Sequence, residues 1–171
     1  PIIGIIDPTI KYLEAKKFKN IGVIVTSGTI RSNGWQKQIE KHMKDVVIQN
    51  KACPMLAPMA EEGWTENEIA RLAIHEYIKD INNIDALILG CTHYPLFKNI
   101  IREEVGENVD IINTGNMVAE EVKNYIKQNN MENSIENNSN TQIFLTDLEC
   151  NFINVARKLM KDEDINLKKI D

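Results

Sequence analysis

One stretch holds most of the chemistry that side chains alone can suggest: Leu87-Ile88-Leu89-Gly90-Cys91-Thr92-His93-Tyr94-Pro95. An apolar run ends in glycine, a cysteine follows at once, and a proline shortly afterwards suits the first turn of a helix. If the run is a parallel strand, Cys91 stands at its carboxyl end, where α/β sheets bind ligands. The positive end of the following helix and a nearby imidazolium, here His93, both lower a thiol pKa. Cysteine is also among the residues most often buried and inert. Glycine, threonine and histidine gathered around it at one strand end favour a functional thiol.

Two other places offer partners. Thr26-Ser27-Gly28-Thr29 is a second strand-to-helix turn. Its hydroxyls and free N–H groups can hold an anionic group such as a carboxylate, or can serve as ordinary helix caps; both readings stay open. The segment from Ala52-Cys53-Pro54 to Trp64 reads as a long apolar loop containing the adjacent carboxylates Glu61 and Glu62. A glutamate beside a cleft can bind an ammonium group or assist proton transfer, whereas two before a helix favour its N-terminus. Cys53, between alanine and proline, reads as core, and Cys150 opens a tail helix with no catalytic partner suggested nearby. His42 is expected in solvent and His75 at or near the surface. Cys91, His93 and Cys53 match no standard structural zinc spacing, so no metal is expected.

The elements that must position these groups alternate. Strands are expected at Ile2–Ile6, Ile21–Thr26, Val46–Ile48, Ala86–Gly90, Val109–Ile112 and Gln142–Leu145, each brief and apolar as buried parallel strands are. Helices are expected after Asp7-Pro8, read as N-cap and first-turn proline, and over Ile30–Lys44, Pro95–Val105, Met117–Lys127 and Glu149–Lys161. Thr65 and Glu68 read as a capping box opening a helix to about Lys79, with Ile69, Leu72, Ala73 and Tyr77 on one face. Such alternation implies an α/β fold, a parallel sheet with right-handed crossovers and helices on both faces. Asn129 to Asn140, with six asparagines in twelve residues, reads as a solvated loop or linker.

Bulk properties narrow the function. The chain has 171 residues, 43% of them hydrophobic, enough for a real core, and a net charge of −5 that argues against a nucleic-acid surface. No apolar run of the roughly 18 residues a membrane span needs occurs, and no signal peptide is seen. Three widely spaced cysteines read as reduced thiols of a cytoplasmic protein. The chain opens at Pro1 without an initiator methionine, which suggests that an upstream part has been removed.

Gly90-Cys91-Thr92-His93-Tyr94-Pro95-Leu96 resembles the second-cysteine signature of glutamate racemases, in the Asp/Glu racemase family. Ile21-Gly22-Val23-Ile24 leading into Thr26-Ser27-Gly28-Thr29-Ile30 is similar to their middle motif. Cys53-Pro54, Pro58 and Glu61-Glu62-Gly63 resemble the segment between. The resemblance runs from Pro1 to about Gly115 and more loosely beyond. It implies interconversion of L- and D-glutamate by two cysteines on opposite faces of Cα, without cofactor or metal, supplying D-glutamate for peptidoglycan and so for cell shape. Cys91 would be the base acting on L-glutamate, His93 would assist its proton transfers, and Glu61 would be the nearby carboxylate. Thr26, Thr29 and Thr92 would contact substrate carboxylates.

The resemblance also implies a two-domain fold. Residues 1–112 would be its second α/β domain, and 113–171 a segment returning to a first domain. That first domain's aspartate-serine-glycine motif and its own catalytic cysteine do not occur in this chain. Position 113 is Asn where the pattern implies Asp, and Val25 stands at a usual glycine. The chain alone is therefore expected not to racemise. Its expected partners are glutamate, the missing domain and, in one arrangement, a second copy in a homodimer, with neither nucleic acid nor membrane. Competing readings are a cysteine hydrolase or transferase using Cys91 with His93, a pair thought poorly placed on one turn, and a non-catalytic ligand-binding module.

Overall fold

The computed structural model describes residues 1–132, 142–146, 153, 156, 157, 160 and 166–170. The expected helix over Glu149–Lys161, Cys150 and most of the asparagine-rich stretch lie wholly or mainly outside them.

Four parallel strands form the main sheet: β1 (Asn20–Val25), β2 (Val47–Ala52), β3 (Ala86–Leu89) and β4 (Asp110–Asn113), in the order β2-β1-β3-β4. Register pairs Ile24 of β1 with both Lys51 of β2 and Leu89 of β3, and Leu89 with Asn113 of β4. The four carboxyl ends therefore share one edge. Because side chains alternate along a strand, β1 and β3 feed two separate cores. Ile24, Leu87 and Leu89 pack with α4 (Leu56–Glu61), α5 (Glu68–Ile78), a 3-10 turn (Tyr94–Phe97) and α6 (Lys98–Val105). Ile21, Val23, Val25 and Ile88 pack on the other face with α1 (Ile6–Lys16) and with α3 (Gly34–His42), which follows the short α2 (Ser27–Ser32). The parallel sheet flanked by helices is thus as the sequence led us to expect. The helix faces also obey the handedness rule: α3 joins β1 to β2, whereas the later crossovers run the opposite way and lay their helices on the opposite face.

Several local expectations are corrected. Ile2–Ile6 is not a strand; Ile2 is 99% exposed, and helix starts at Ile6 with Asp7 and Pro8 inside its first turn, so Asp7 is not the cap. Proline suits that turn because its missing N–H would find no helical partner there. The helix expected over Ile30–Lys44 breaks at Asn33, whose φ of 53° is left-handed, a conformation asparagine tolerates. Residues 52–64 hold α4 and are not all loop. The cap of α5 is Asn67, accepting the Ala70 N–H at 2.9 Å, so Thr65, which is buried, is not the residue that caps this helix. The inner face of α5 is Ala70, Ile74 and Ile78, with Ile69 and Leu72 exposed. β2 extends past Ile48 to Ala52, and β4 is shifted by one residue from the expected run.

After β4, α7 (Thr114–Gln128) packs beside α1, with Lys11 Nζ 2.6 Å from Glu121 Oε1. β5 (Gln142–Leu145) falls where expected. It pairs in parallel with β6 (Asn166–Lys169), which the sequence did not suggest.

Candidate active site at the carboxyl edge of the sheet

From β1 the chain passes to β2 on one side, and later to β3 on the other. The carboxyl ends of β1 and β3 therefore flank a topological switch point, where open α/β sheets leave a crevice. Thr26 follows β1 there, and Gly90-Cys91 follows β3. Gly90 lets the two strand ends close up. Its N–H bonds the Ile24 carbonyl at 2.9 Å, and a Cβ at this position would lie 2.4 Å from Val25 Cγ1. By continued register, Cys91 is brought beside Thr26.

Cys91 is partly buried, its Sγ 3.7 Å from His93 Nδ1, and His93 Nε2 is 3.3 Å from Glu61 Oε1 at the end of α4. The three groups form one chain: thiol, imidazole, carboxylate. If Nε2–H faces Glu61, Nδ1 carries the lone pair that can accept the thiol proton. The pair judged poorly placed for one turn is thus in contact, because the turn before the 3-10 segment folds the imidazole back over the sulfur. The expected lowering of the thiol pKa does not prevail. Burial pushes Cys91 above the usual range and the Glu61 charge adds to this, while the His93 and Tyr94 backbone N–H groups act against it. Glu61 is 61% exposed, so solvent screens its pairing.

Thr26 caps α2, its Oγ1 3.0 Å from Thr29 Oγ1 and 3.4 Å from the Thr29 N–H. The hydroxyls are thereby occupied with each other, yet both side chains remain partly accessible. Thr92 is exposed on the Cys91 turn. Cys53 is fully buried, its thiol pushed up to about 12 by burial, which makes it core as expected. His42 is exposed, and exposed His75 pairs with Glu104 at 2.9 Å.

The sequence profile of the Asp/Glu/Hydantoin racemase family matches residues 1–122. The chain belongs to that family. A glutamate racemase of Sulfurihydrogenibium sp. is 40% identical over 174 residues, which cover all of this chain and 64% of the relative. That of Geobacter metallireducens is 34% identical over 163 residues, 94% of this chain and 60% of its own. The glutamate racemase of Francisella tularensis, solved with D-glutamate, superposes with a TM-score of 0.89 at 28% identity, over all of this chain and 64% of that one. The chain thus spans less than two thirds of the length of these relatives.

Three features of this family member's site escaped sequence reasoning. The Tyr94 hydroxyl donates to the Cys53 carbonyl at 2.8 Å, the Thr114 hydroxyl donates to the Leu89 carbonyl at 3.2 Å, and Trp35 lies against Gly90. Tyr94 stood inside the signature heptapeptide and Thr114 at the expected return toward a first domain, but neither bond could be read from those stretches.

Proposed function

We propose that this chain supplies one side of the proton-transfer site of a glutamate racemase, with Cys91 as the group that takes the α-proton from L-glutamate and returns one in reverse. One observation supports the reading above others: the half-open sulfur at the carboxyl end of β3, 3.7 Å from an imidazole that is itself 3.3 Å from a carboxylate. His93 accepts the thiol proton as the thiolate forms, Glu61 orients the ring, and the two N–H groups that face the sulfur stabilise its charge. Thr26, Thr29 and Thr92 stand near enough along the same edge to receive carboxylates. General-base help of this kind contributes about 100- to 10,000-fold in rate.

On this reading the α-carbon lies over the switch point and a second thiol approaches it from the other side, contributed by a part of the protein outside residues 1–171. Residues 113–171 belong with that part. In support, β5 and β6 make a parallel pair, an arrangement usually covered on both faces, and Phe144 is 52% exposed. The reaction needs no cofactor and takes place in the cytoplasm, where its D-glutamate enters peptidoglycan. Among the described residues no helix is long and apolar enough to cross a membrane.

Proton NMR in D2O tests the proposal. The full-length gene product should lose the α-proton signal of L-glutamate and form D-glutamate, and Cys91→Ser should slow this at least about a thousand-fold. Unchanged turnover in Cys91→Ser refutes Cys91 as the base. D-glutamate made by residues 1–171 alone refutes the need for a second part. A stable mass increase on Cys91 with substrate would instead favour covalent hydrolase or transferase chemistry.

A further inference from the structure

Tyr94 is wholly buried, and among the described residues its phenol oxygen is committed to one hydrogen bond, to the Cys53 carbonyl at 2.8 Å. Both ends of that contact matter. Tyr94 is bound into the Cys91 turn, its N–H donating to the Cys91 carbonyl at 3.1 Å. Cys53 is a junction: its own N–H donates to the Val25 carbonyl at 2.8 Å, just before Thr26, and its carbonyl also receives the Leu56 N–H at 3.3 Å. Leu56 begins α4, a helix of six residues whose last member is Glu61. The far end of the same helix returns to His93 at 3.3 Å. The path therefore closes on itself: Cys91 turn, Tyr94 hydroxyl, head of α4, Glu61, His93, Cys91.

We propose that Tyr94 is a positioning residue: its hydroxyl holds the head of α4 so that Glu61, at the tail, meets His93 beside Cys91. The inference takes Cys91 as the reacting thiol from the proposed function, but its geometry does not depend on which substrate is used. A short helix is a rigid lever. Released from the Tyr94 hydroxyl at its head, where the 3.3 Å Leu56 bond and the 3.3 Å bond from the Met55 N–H to the Tyr77 hydroxyl remain, it can tilt and move the exposed Glu61 carboxylate.

The test reads Cys91 itself, so it succeeds or fails separately from racemase activity. Iodoacetamide alkylation of Cys91 in the chain, followed by mass spectrometry, gives a rate-against-pH profile. The groups facing the sulfur are His93 and Tyr94 on its own turn and Glu61 from α4. Because the Glu61 charge disfavours the thiolate, Glu61→Gln should lower the midpoint, by roughly half a pH unit for a partly screened charge. Tyr94→Phe keeps the buried ring and should shift the midpoint in the same direction. The double variant should shift no further than Glu61→Gln alone, the signature of two groups acting through one contact.

A Tyr94→Phe midpoint equal to that of the parent, or shifts that add in the double variant, overturns the proposal. Should Tyr94→Phe not fold by circular dichroism, Pro54→Gly loosens the same helix head from its exposed side. It must then give the downward shift, and an unmoved midpoint overturns the proposal equally. Failure of Cys91→Ser to affect racemisation would remove the proposed function while leaving this coupling intact.

Discussion

Gly90→Ala asks whether close approach of β3 to β1 builds the site. The added Cβ would lie 2.4 Å from Val25 Cγ1, 3.0 Å from Trp35 Nε1 and 3.2 Å from the Ile24 carbonyl oxygen. None of these yields cheaply, since Val25 and Trp35 are buried and the carbonyl accepts the last bond between the strands. Gly22→Ala is the control on the neighbouring strand. There the Cβ would meet Leu87 Cδ1 at 2.8 Å and Ile84 Cδ1 at 3.1 Å, both ends of side chains that can turn, and the Ile81 Cγ2 methyl at 3.2 Å, with no backbone atom among them. Either change gains about 0.4–1 kcal/mol by restricting the unfolded chain, while overpacking costs about 1–3 kcal/mol. Gly22→Ala should therefore destabilise by roughly 0–1.5 kcal/mol, and Gly90→Ala by about 2–2.5 kcal/mol because backbone must move. In urea melts followed by far-UV circular dichroism, that larger cost lowers the midpoint by roughly 1–2 M at unchanged slope. Alkylation of Cys91 should change in Gly90→Ala alone, because the sulfur rides on the displaced strand end. If Gly90→Ala is as stable as the parent, or Gly22→Ala costs more, the contact argument is wrong.

The two described thiols should separate cleanly in reactivity. Cys91 should alkylate in the native chain with a midpoint above that of an ordinary thiol, and Cys53 only after unfolding, as peptide mapping of labelled protein will show. Cys53 also predicts alkaline instability. Its folded pKa is raised from 9.0 to about 12, so its contribution is intact below pH 9 and is lost as pH rises toward 12. At most roughly 4 kcal/mol is at stake. Thermal melts across that window should fall less steeply in Cys53→Ala than in the parent, and parallel curves would contradict this. Thr114→Val preserves shape but removes the buried bond to Leu89, and should cost about 1 kcal/mol in the same urea assay.

What could be read in advance follows from where the information lies. The strand before Cys91 announced itself because four apolar residues, a glycine and a later proline leave few alternatives, and the sheet class followed from the βα alternation. Ile2–Ile6 misled because β-branched residues favour strand locally, but a strand also needs a neighbour, and position 8 is proline. On α5 the bulk of Ile69 and Leu72 outweighed the smaller stripe Ala70-Ile74-Ile78, which is the one that meets the sheet. The break at Asn33 did have a signal, since Asn33-Gly34 is a turn dipeptide. The capping error arose because Thr65 and Asn67 are both competent caps, and the helix starts at Glu68, which leaves Asn67 in the capping position. At the site, sequence supplied the residue types and their order. The contact of Glu61 with His93 needed the helix α4, and the bond from Tyr94 to Cys53 joins residues 41 apart, beyond any local pattern.

Racemisation places a chemical demand on such a site. A single base that returns a proton to the face it came from gives back the starting enantiomer, so inversion requires a second donor opposite the first. Cys53 cannot fill that place: its sulfur is fully buried and turned toward the Lys51 carbonyl at 3.8 Å, out of reach of a ligand at the sheet edge. Of the two described thiols only Cys91 opens toward the switch point, and around it Thr92 and Glu61 are exposed. An edge carrying a thiol, a carboxylate and hydroxyls at the surface is a poor site for proton transfer by itself, because water would compete at every polar atom and solvate a thiolate. On the proposed function, a second surface closes over it and brings the opposing donor. The relatives' greater length leaves room for such a surface.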